Sequence, residues 1–115
     1  MQYMLMIHGD EAAVQSAPPD AAARMVAAYM AYTDALRHGG VLVGSNRLRP
    51  TSTATTVRVV DGKMQVLDGP YAETKEQLAG YYLIDVPDLD AALSWAARCP
   101  GASAGAIEVR PVWTM

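Results

Sequence analysis

The sequence contains few of the residues that several classes of protein require. Cys99 is the only cysteine, so no disulfide can form within the chain, and nothing indicates an oxidising compartment. The nine basic residues are scattered and the formal net charge is −3, which argues against nucleic-acid binding because that binding needs clustered Lys and Arg. The apolar run at residues 1–8 lacks a basic flank and is too short for a signal peptide or a membrane span. We therefore expect a cytoplasmic protein that binds neither nucleic acid nor membranes.

Signatures of metal and cofactor sites are missing as well. The chain has two histidines and one cysteine, without the spacing of zinc or iron ligands. It has no glycine-rich dinucleotide or phosphate motif and no nucleophile elbow. We therefore predict no bound metal and no cofactor. Cys99 stands near the end of a predicted helix, where a thiol is expected to fill space and stay unreactive.

The rest of the composition is typical of a folded domain. Hydrophobic residues make up 51% of the chain and charged residues 18%, which excludes disorder. The length suits one domain, at residues 1–115. Phe is absent, so the seven Met and many Ala must supply much of the core. We expect part of the apolar surface to be buried in an oligomer.

Alternating and β-branched segments predict six strands. They cover residues 3–8, 41–43, 55–60, 63–67, 80–86 and 107–112. Asp61-Gly62 is a strong two-residue hairpin signal between the third and fourth strands. Residues 68–77 are predicted to form a polar loop with one helical turn at residues 72–77.

Capping residues and apolar spacing predict two helices. Pro18-Pro19-Asp20 opens the first helix and Gly39-Gly40 ends it. Asp88 caps the second helix, which Pro100-Gly101 ends. Residues three to four positions apart predict one buried stripe on each helix: Ala22, Met25, Tyr29, Thr33 and Leu36, then Leu89, Ala92, Leu93 and Ala96. Trp95 lies off its stripe, at a flank or against a partner subunit.

The order of elements predicts an α+β fold. Strand, helix, strands, helix and strand pack most simply as a ferredoxin-like antiparallel sheet with two helices on one face and an extra β-hairpin. The other face would carry the apolar side chains of Met4, Met6 and Leu83. A second copy of the chain covers such a face most economically, so we predict a homodimer.

Residues 68–78, here called the DGP loop, hold the densest group of polar side chains in the sequence. Asp68 and Glu73 are candidate catalytic acids or bases, and Lys75 would orient or stabilise a neighbouring charge. The alternative is a structural connection in which Thr74 or Glu73 satisfies backbone amides.

Further candidates stand on the strands. His8, beside Asp10, is a catalytic candidate because a His–carboxylate pair carries protons at neutral pH; the alternative is a strand-end histidine bonded to backbone. Glu108 and Arg110 share one face of the last strand, which lines either a cleft or an ordinary solvated surface. The predicted ligand-binding residues are Arg47, Lys75, Tyr81 and Arg110.

These motifs together resemble a known family. The DGP loop followed by Gly80-Tyr81-Tyr82-Leu83-Ile84-Asp85-Val86 is similar to the hallmark of the DGPF branch of the YCII-related proteins, with Tyr71 in place of the Phe that names the motif. The likeness extends to residues 3–11, 40–44, 54–58, 88–90 and 108–113, which is almost the whole chain. The resemblance implies a dimeric α+β barrel, in which two sheets face each other across a homodimer and leave a cleft.

One departure from the family limits what the resemblance implies. Shorter YCII-like relatives have a His on the first helix and an Asp near the end of the second, proposed as a catalytic pair. Here no histidine precedes His38 on the first helix, and Cys99 stands where the Asp would be. We therefore do not assign that chemistry to this chain. The wider superfamily includes cofactor-free monooxygenases, muconolactone isomerase and ligand-sensing domains, and fold alone does not choose among them.

Two functions follow as predictions. The first is a homodimer that binds or transforms a small polar or anionic molecule in the cleft between the sheets, by acid–base chemistry without a metal. The alternative is a non-catalytic ligand-sensing or interaction module. That role would have a functional link to an extracytoplasmic-function sigma factor, because DGPF proteins are often encoded beside such factors. Turnover of a substrate separates the two.

Overall fold

The computed structural model describes residues 1–114. The strands in this range are β1 (Gln2–Gly9), β2 (Leu42–Arg47), β3 (Thr55–Val60), β4 (Lys63–Asp68), β5 (Gln77–Asp85) and β6 (Ala106–Pro111). The helices are α1 (Glu11–Gln15), α2 (Pro19–His38) and α3 (Leu89–Arg98), with 3-10 turns at Thr51–Thr53 and Pro100–Ala102. Of the helices in residues 1–114, none has the length and apolar character needed to cross a bilayer.

Four of the strands form one antiparallel sheet in the order β2-β5-β1-β6. The connections β1-α2-β2 and β5-α3-β6 each pass over one intervening strand, as in ferredoxin-like folds. β1 and β5 are central and β2 and β6 are the edges. The predicted α+β class is confirmed, and the topology is compatible with the predicted ferredoxin-like sheet.

The core lies between one face of this sheet and the helices α2 and α3. Leu5 on β1 and Ile84 on β5 are fully buried there, and each such side chain stabilises the fold by about 1.5–3 kcal/mol. Tyr32 on α2 packs edge-on against Tyr82 of β5, with 5.2 Å between the ring centroids. Its hydroxyl donates a hydrogen bond to the backbone carbonyl of Trp95 on α3 at 2.7 Å. Both helices therefore lie on the same face, as the sequence predicts.

The opposite face of the sheet, here called the open face, carries the alternate side chains of the same strands. They are Met4, Met6, His8, Tyr81, Leu83, Glu108 and Arg110. Because α2 and α3 lie on the other side, these side chains point away from the core. The apolar ones, Met4, Met6 and Leu83, are only half-buried.

Strands β3 and β4 form a separate hairpin, here called the arm. Asp61 and Gly62 at its tip have φ of 51° and 75°, the left-handed pair that the predicted two-residue turn requires. Every residue of the arm except Thr56 is exposed. A two-stranded hairpin is at best marginally stable in water, so the arm is the least supported element of the protomer.

The structure differs from the prediction just after β1. The sequence Gly9-Asp10-Glu11 was expected only to end the strand, but residues 11–15 form the short helix α1. The Asp10 carboxylate caps it by accepting hydrogen bonds from the amides of Ala12 and Ala13 at 3.1 and 3.3 Å. The cap and the alanines that follow it favour a helical turn here.

Two further segments differ from the prediction. The predicted helical turn at residues 72–77 is wrong, because Thr74 Oγ1 donates to the Glu76 carbonyl and Gln77 Nε2 donates to the Thr74 carbonyl. Such side chain–backbone bonds compete with helix formation. β2 continues to Arg47 because its polar second half still pairs with β5.

The predicted helix stripes are only partly buried. On α2, Leu36 is buried and Tyr29 and Thr33 are half-buried, whereas Ala22 and Met25 are exposed. The buried residues of this helix all lie in its C-terminal half, so its first half does not contribute to the core.

On α3 the small residues approach the sheet. Ala92 and Ala96 are buried, but Leu89 and Leu93 are about half exposed. Trp95, off the predicted stripe, occupies the flank beside α2, where the Arg98 guanidinium lies 4.3 Å from its ring centroid.

The folded chain is flat. Its dimensions are 47 × 44 × 19 Å and its radius of gyration is 16.1 Å, whereas a compact chain of this length has about 13 Å. The radius of gyration is larger than expected because the arm extends from the rest of the chain. The surface is therefore large for a chain of this size.

Candidate functional site

A cavity of about 830 Å³ lies at the end of the open face, within the size range of small-molecule pockets. His8 lies in its wall, and segments 48–57 and 70–78 supply the rest of the lining. The polar side chains of the wall are Arg49, Thr51, Thr53, Thr55, Thr56, Thr74, Glu76 and Gln77. The apolar ones include Leu48, Val57 and Leu78. The cavity therefore suits a small molecule that has both apolar and hydrogen-bonding groups.

The position of His8 is set by its backbone. Ile7 pairs with Gly80 and His8 pairs with Leu78, so one residue of β5 bulges out beside the imidazole. Bulges re-aim side chains and are common next to functional sites. On the other side, a Cβ added to Gly105 would collide with the carbonyl oxygen of His8, so only glycine allows this close approach. The end of β1 is thus held between two neighbouring chain segments.

His8 belongs to a row of charged side chains on the open face. Its Nε2 lies 3.4 Å from Glu108 Oε1, but this atom is buried and forms no aligned hydrogen bond with any residue of 1–114. The contact is therefore one of proximity without an aligned hydrogen bond. The other Glu108 oxygen accepts a hydrogen bond from Arg110 at 2.6 Å. Glu108 is placed to orient the imidazole and to balance a positive charge on it.

The carboxylate partner of His8 differs from the predicted one. Asp10 was expected to pair with His8, but its carboxylate is occupied in capping α1. The His–carboxylate pair forms instead with Glu108 of β6, since alternation places both side chains on the same face of adjacent strands.

Glu11 holds one wall of the cavity in place through hydrogen bonds. Its carboxylate accepts hydrogen bonds from the amide of Thr51 at 3.1 Å and from the hydroxyl of the same residue. Its amide donates to Gln77 Oε1 at 3.0 Å, and Gln77 Nε2 donates to the Thr74 carbonyl at 2.6 Å. These bonds tie α1 and the turn at Thr51–Thr53 to the DGP loop. A smaller cavity of about 320 Å³ adjoins the first at this place.

The three predicted catalytic residues do not converge on one point. His8 lines the larger cavity, Glu73 lines the smaller one, and Asp68 lines neither. Asp68 and Glu73 are exposed, and neither carboxylate forms a hydrogen bond or ion pair with a side chain or a backbone amide of residues 1–114. Glu73 therefore caps no amide in the described chain, and the catalytic roles of both residues stay predictions.

The predicted ligand-binding residues fall into two groups. Arg110 and Tyr81 share the open face with His8, and the Tyr81 hydroxyl accepts a hydrogen bond from Asn46 Nδ2 at 2.9 Å. Arg47, at the end of β2, and Lys75, in the DGP loop, are exposed and line neither cavity.

Other residues at the site were not singled out from the sequence. Arg49, Thr51 and Gln77 line the larger cavity, and Glu11 holds its wall. Asp10 followed by Glu11 and two alanines is a helix-start signal that marks α1. No local signal indicates that Glu11 meets Thr51, because their bond depends on how the intervening chain folds.

Cys99 and the acidic residues do not form further centres. Cys99 is the C-cap of α3, and its burial raises the pKa of the thiol, which favours the unreactive form expected from the sequence. Across residues 1–114, no three or more His, Cys, Asp or Glu side chains are grouped so that they could hold a metal ion.

Known proteins are similar to this chain along its whole length. The sequence profile of the YCII-related domain matches residues 1–115. An uncharacterised protein of Rhizobium meliloti (strain 1021) is 39% identical over 114 residues, which is 97% of this chain and 92% of that protein.

Proposed function

Since this chain belongs to the YCII-related domain family, we propose that it is a homodimer that binds a small organic anion beside His8 and exchanges a proton with it. Family membership confirms the resemblance inferred from the DGP loop. In the proposed chemistry His8 acts as the acid or base, Glu108 orients its ring, and no metal takes part.

One observation carries this proposal, the environment of His8 Nε2. His8 lines the cavity, and its Nε2 is buried beside Glu108 without an aligned hydrogen-bond partner within residues 1–114. A buried polar atom without a partner costs about 1–3 kcal/mol, so a rotation of the ring that brings Nε2 to a ligand in the cavity would gain a hydrogen bond. Glu108 at 3.4 Å provides the neighbouring charge that acid–base catalysis by histidine commonly uses.

One cationic side chain of the cavity lining, Arg49, supports an anionic ligand, and Glu76 is the acidic side chain of the same lining. Arg49 contributes a guanidinium, which binds carboxylates through two parallel hydrogen bonds. The threonine hydroxyls add donors, and the apolar wall suits a short carbon skeleton. Arg47, Lys75, Tyr81 and Arg110, with Asp68 and Glu73, stay proposed contacts at the rim of the cleft.

The homodimer is supported by the open face and by the shape of the protomer. Met4, Met6 and Leu83 form an apolar surface that points away from the core. Burying roughly 800 Å² per protomer would make an ordinary specific interface. Sedimentation equilibrium checks this point, and a stable monomer at micromolar concentration would contradict the dimer.

Proton transfer is tested by hydrogen–deuterium exchange on small 2-oxo and 3-oxo carboxylates, followed by proton NMR in D₂O. We expect the wild-type protein to accelerate exchange at the carbon next to the carbonyl of at least one compound. His8→Gln should lower that rate by about 10²–10⁴-fold, the usual contribution of a general acid or base. His38→Gln is the matched control, because His38 is exposed at the end of α2 and should leave the rate unchanged.

The outcomes separate the two predicted functions. Equal loss of exchange in both histidine variants would remove His8 from the mechanism. Binding of a carboxylate without exchange would contradict proton transfer and favour the ligand-sensing role. The functional link to a sigma factor stays a prediction.

A further inference from the structure

We infer that the apolar face of the arm binds a second copy of this chain, and that this contact closes the cavity beside His8. The inference rests on the proposed homodimer and extends it, since it assigns a second contact surface separate from the open face. On this inference, the cavity beside His8 is incomplete in a single protomer and is closed only in the dimer.

The two faces of the arm differ in polarity. Val57 pairs with Val66 and Val59 pairs with Met64, so these four side chains lie on one side, here called the arm face. They are 51–70% exposed. The other side carries Arg58, Gln65 and Lys63, together with Thr56, Val60 and Leu67. Four of the six residues on the side of the arm face are apolar, since Thr55 and Asp68 complete it at the base, whereas only Val60 and Leu67 are apolar on the other side.

The arm face exposes a sizeable apolar patch. Its four residues together expose on the order of 400 Å², within the range of roughly 300–600 Å² for the largest apolar patch of a protein, which is often functional. In a two-fold dimer each protomer would bury its own arm face and an equal area where it receives the partner's arm. That amounts to roughly 800 Å² per protomer, the size of a standard specific interface.

The arm face is continuous with the cavity through Val57. This residue belongs to the arm face and also lines the cavity, together with Thr55 at the base of the same strand. His8 brings the open face to the same cavity from the other side. A partner that packs on the open face therefore meets the arm as well, and covering Val57 narrows the opening of the cavity.

A second copy suits this surface better than a charged partner. The four side chains of the arm face are uncharged, and the same side of the arm ends in the acidic Asp68. The chain as a whole has a formal net charge of −3, so neither the arm nor the chain attracts a nucleic acid or an anionic membrane. A flat protomer that exposes both an apolar sheet face and an apolar arm offers two complementary apolar surfaces to its own copy.

The test compares neighbouring residues on opposite sides of β4. Met64→Glu places a charge on the arm face, and Gln65→Glu places the same charge one residue away on the polar side. Sedimentation equilibrium measures the dimer dissociation constant, and hydrogen exchange measures protection of the amides of residues 57–66. We expect Met64→Glu to weaken the dimer at least tenfold and to remove amide protection in the arm. Gln65→Glu and the conservative Met64→Leu should change neither.

Folding is checked by circular dichroism, and because the arm lies outside the core each variant should keep the wild-type spectrum. If Met64→Glu disturbs it, Met64→Gln serves as the milder variant with the same expectation. A wild-type dimer that tolerates Met64→Glu and leaves the arm amides unprotected would overturn the arm contact while the homodimer proposal stands. A wild-type monomer would overturn both.

Discussion

Asp68 and Glu73 are exposed side chains in a loop whose shape depends on other groups. The loop begins at Gly69, whose φ of 119° favours glycine. The Gly69 amide donates to the Ala54 carbonyl at 2.7 Å, and its carbonyl accepts from Thr56 Oγ1 at 2.8 Å. These bonds hold the loop against the start of β3 without help from either carboxylate.

Removing the two carboxylates should therefore leave stability nearly unchanged. Substitutions of exposed residues without partners usually change stability by less than about 0.5 kcal/mol, so we expect Asp68→Ala and Glu73→Ala to shift the melting temperature by less than about 3 °C. Asp88→Ala is the control, because the Asp88 carboxylate accepts the Ala91 amide at 2.9 Å as the N-cap of α3. Losing that cap should cost about 1 kcal/mol, or several degrees.

Calorimetry of the three variants checks this expectation. A loss for Asp68→Ala or Glu73→Ala as large as that for Asp88→Ala would mean that the DGP loop carboxylate supports the fold. It would then be removed from the candidate site.

For single residues, the sequence predicts the face of the sheet on which a side chain lies better than it predicts which side chain it contacts. Alternation along β1 and β6 correctly places His8 and Glu108 on the face opposite the core, because the side-chain period of a strand is two. The choice of Glu108 over Asp10 as the partner of His8 could not be predicted, since it depends on the pairing register of distant strands. The Asp10 carboxylate caps α1 and is therefore not free to pair with His8.

Where α2, β5 and the end of α3 meet, two tyrosine hydroxyls and a cysteine thiol are buried close together. Tyr32 on α2 and Tyr82 on β5 are about 5% exposed, and Cys99 at the end of α3 is 3% exposed. Burial, followed by the neighbouring Cys99, raises the pKa of Tyr32. Burial also raises the pKa of Tyr82, although the hydrogen bond with Thr33 opposes this shift. Burial likewise raises the pKa of Cys99. In the folded state all three groups keep their protons to higher pH than in the unfolded chain.

Stability should consequently fall in alkali. Below the ordinary pKa values of about 8.5 for a thiol and about 10 for tyrosine, both states are protonated and the stabilisation is complete. As pH rises through those values only the unfolded chain loses protons, so stability falls by up to about 1.4 kcal/mol per group and pH unit.

Urea unfolding between neutral pH and pH about 11 measures this slope. Tyr32→Phe is the control, which should be less stable at neutral pH because it loses the bond to Trp95 but should show a shallower alkaline decline. A stability that stays constant up to the alkaline limit would contradict the expected linkage.

At the level of elements the sequence predicts what local pattern determines. The arm is indicated by β-branched residues around Asp61-Gly62, and α3 by its cap at Asp88. Burial along the helices is less predictable, because it depends on where each helix lies over the sheet. Met25 has the right spacing for the core but lies in the half of α2 that does not reach it.

For the whole molecule, a homodimer makes thermal stability depend on concentration. Each tenfold dilution lowers the free energy of unfolding of a dimer by about 1.4 kcal/mol, which for two chains of this length shifts melting by about 2–4 °C. We expect this dependence in the wild-type protein over a hundredfold range of concentration. An unchanged melting temperature over that range would show that the folded protomer is stable alone.

The central position of β1 has a consequence for synthesis on the ribosome. Of the four strands of the sheet β1 is translated first, yet its two partners are β5 and β6, the last two strands of the sheet. At about 5–20 residues per second, roughly 5–20 s pass between translation of β1 and of β6. During that interval β1 has apolar side chains on both faces and no strand beside it. The nascent chain is thus exposed to misassociation until β6 leaves the exit tunnel, and binding of a chaperone to β1 would protect it for that period.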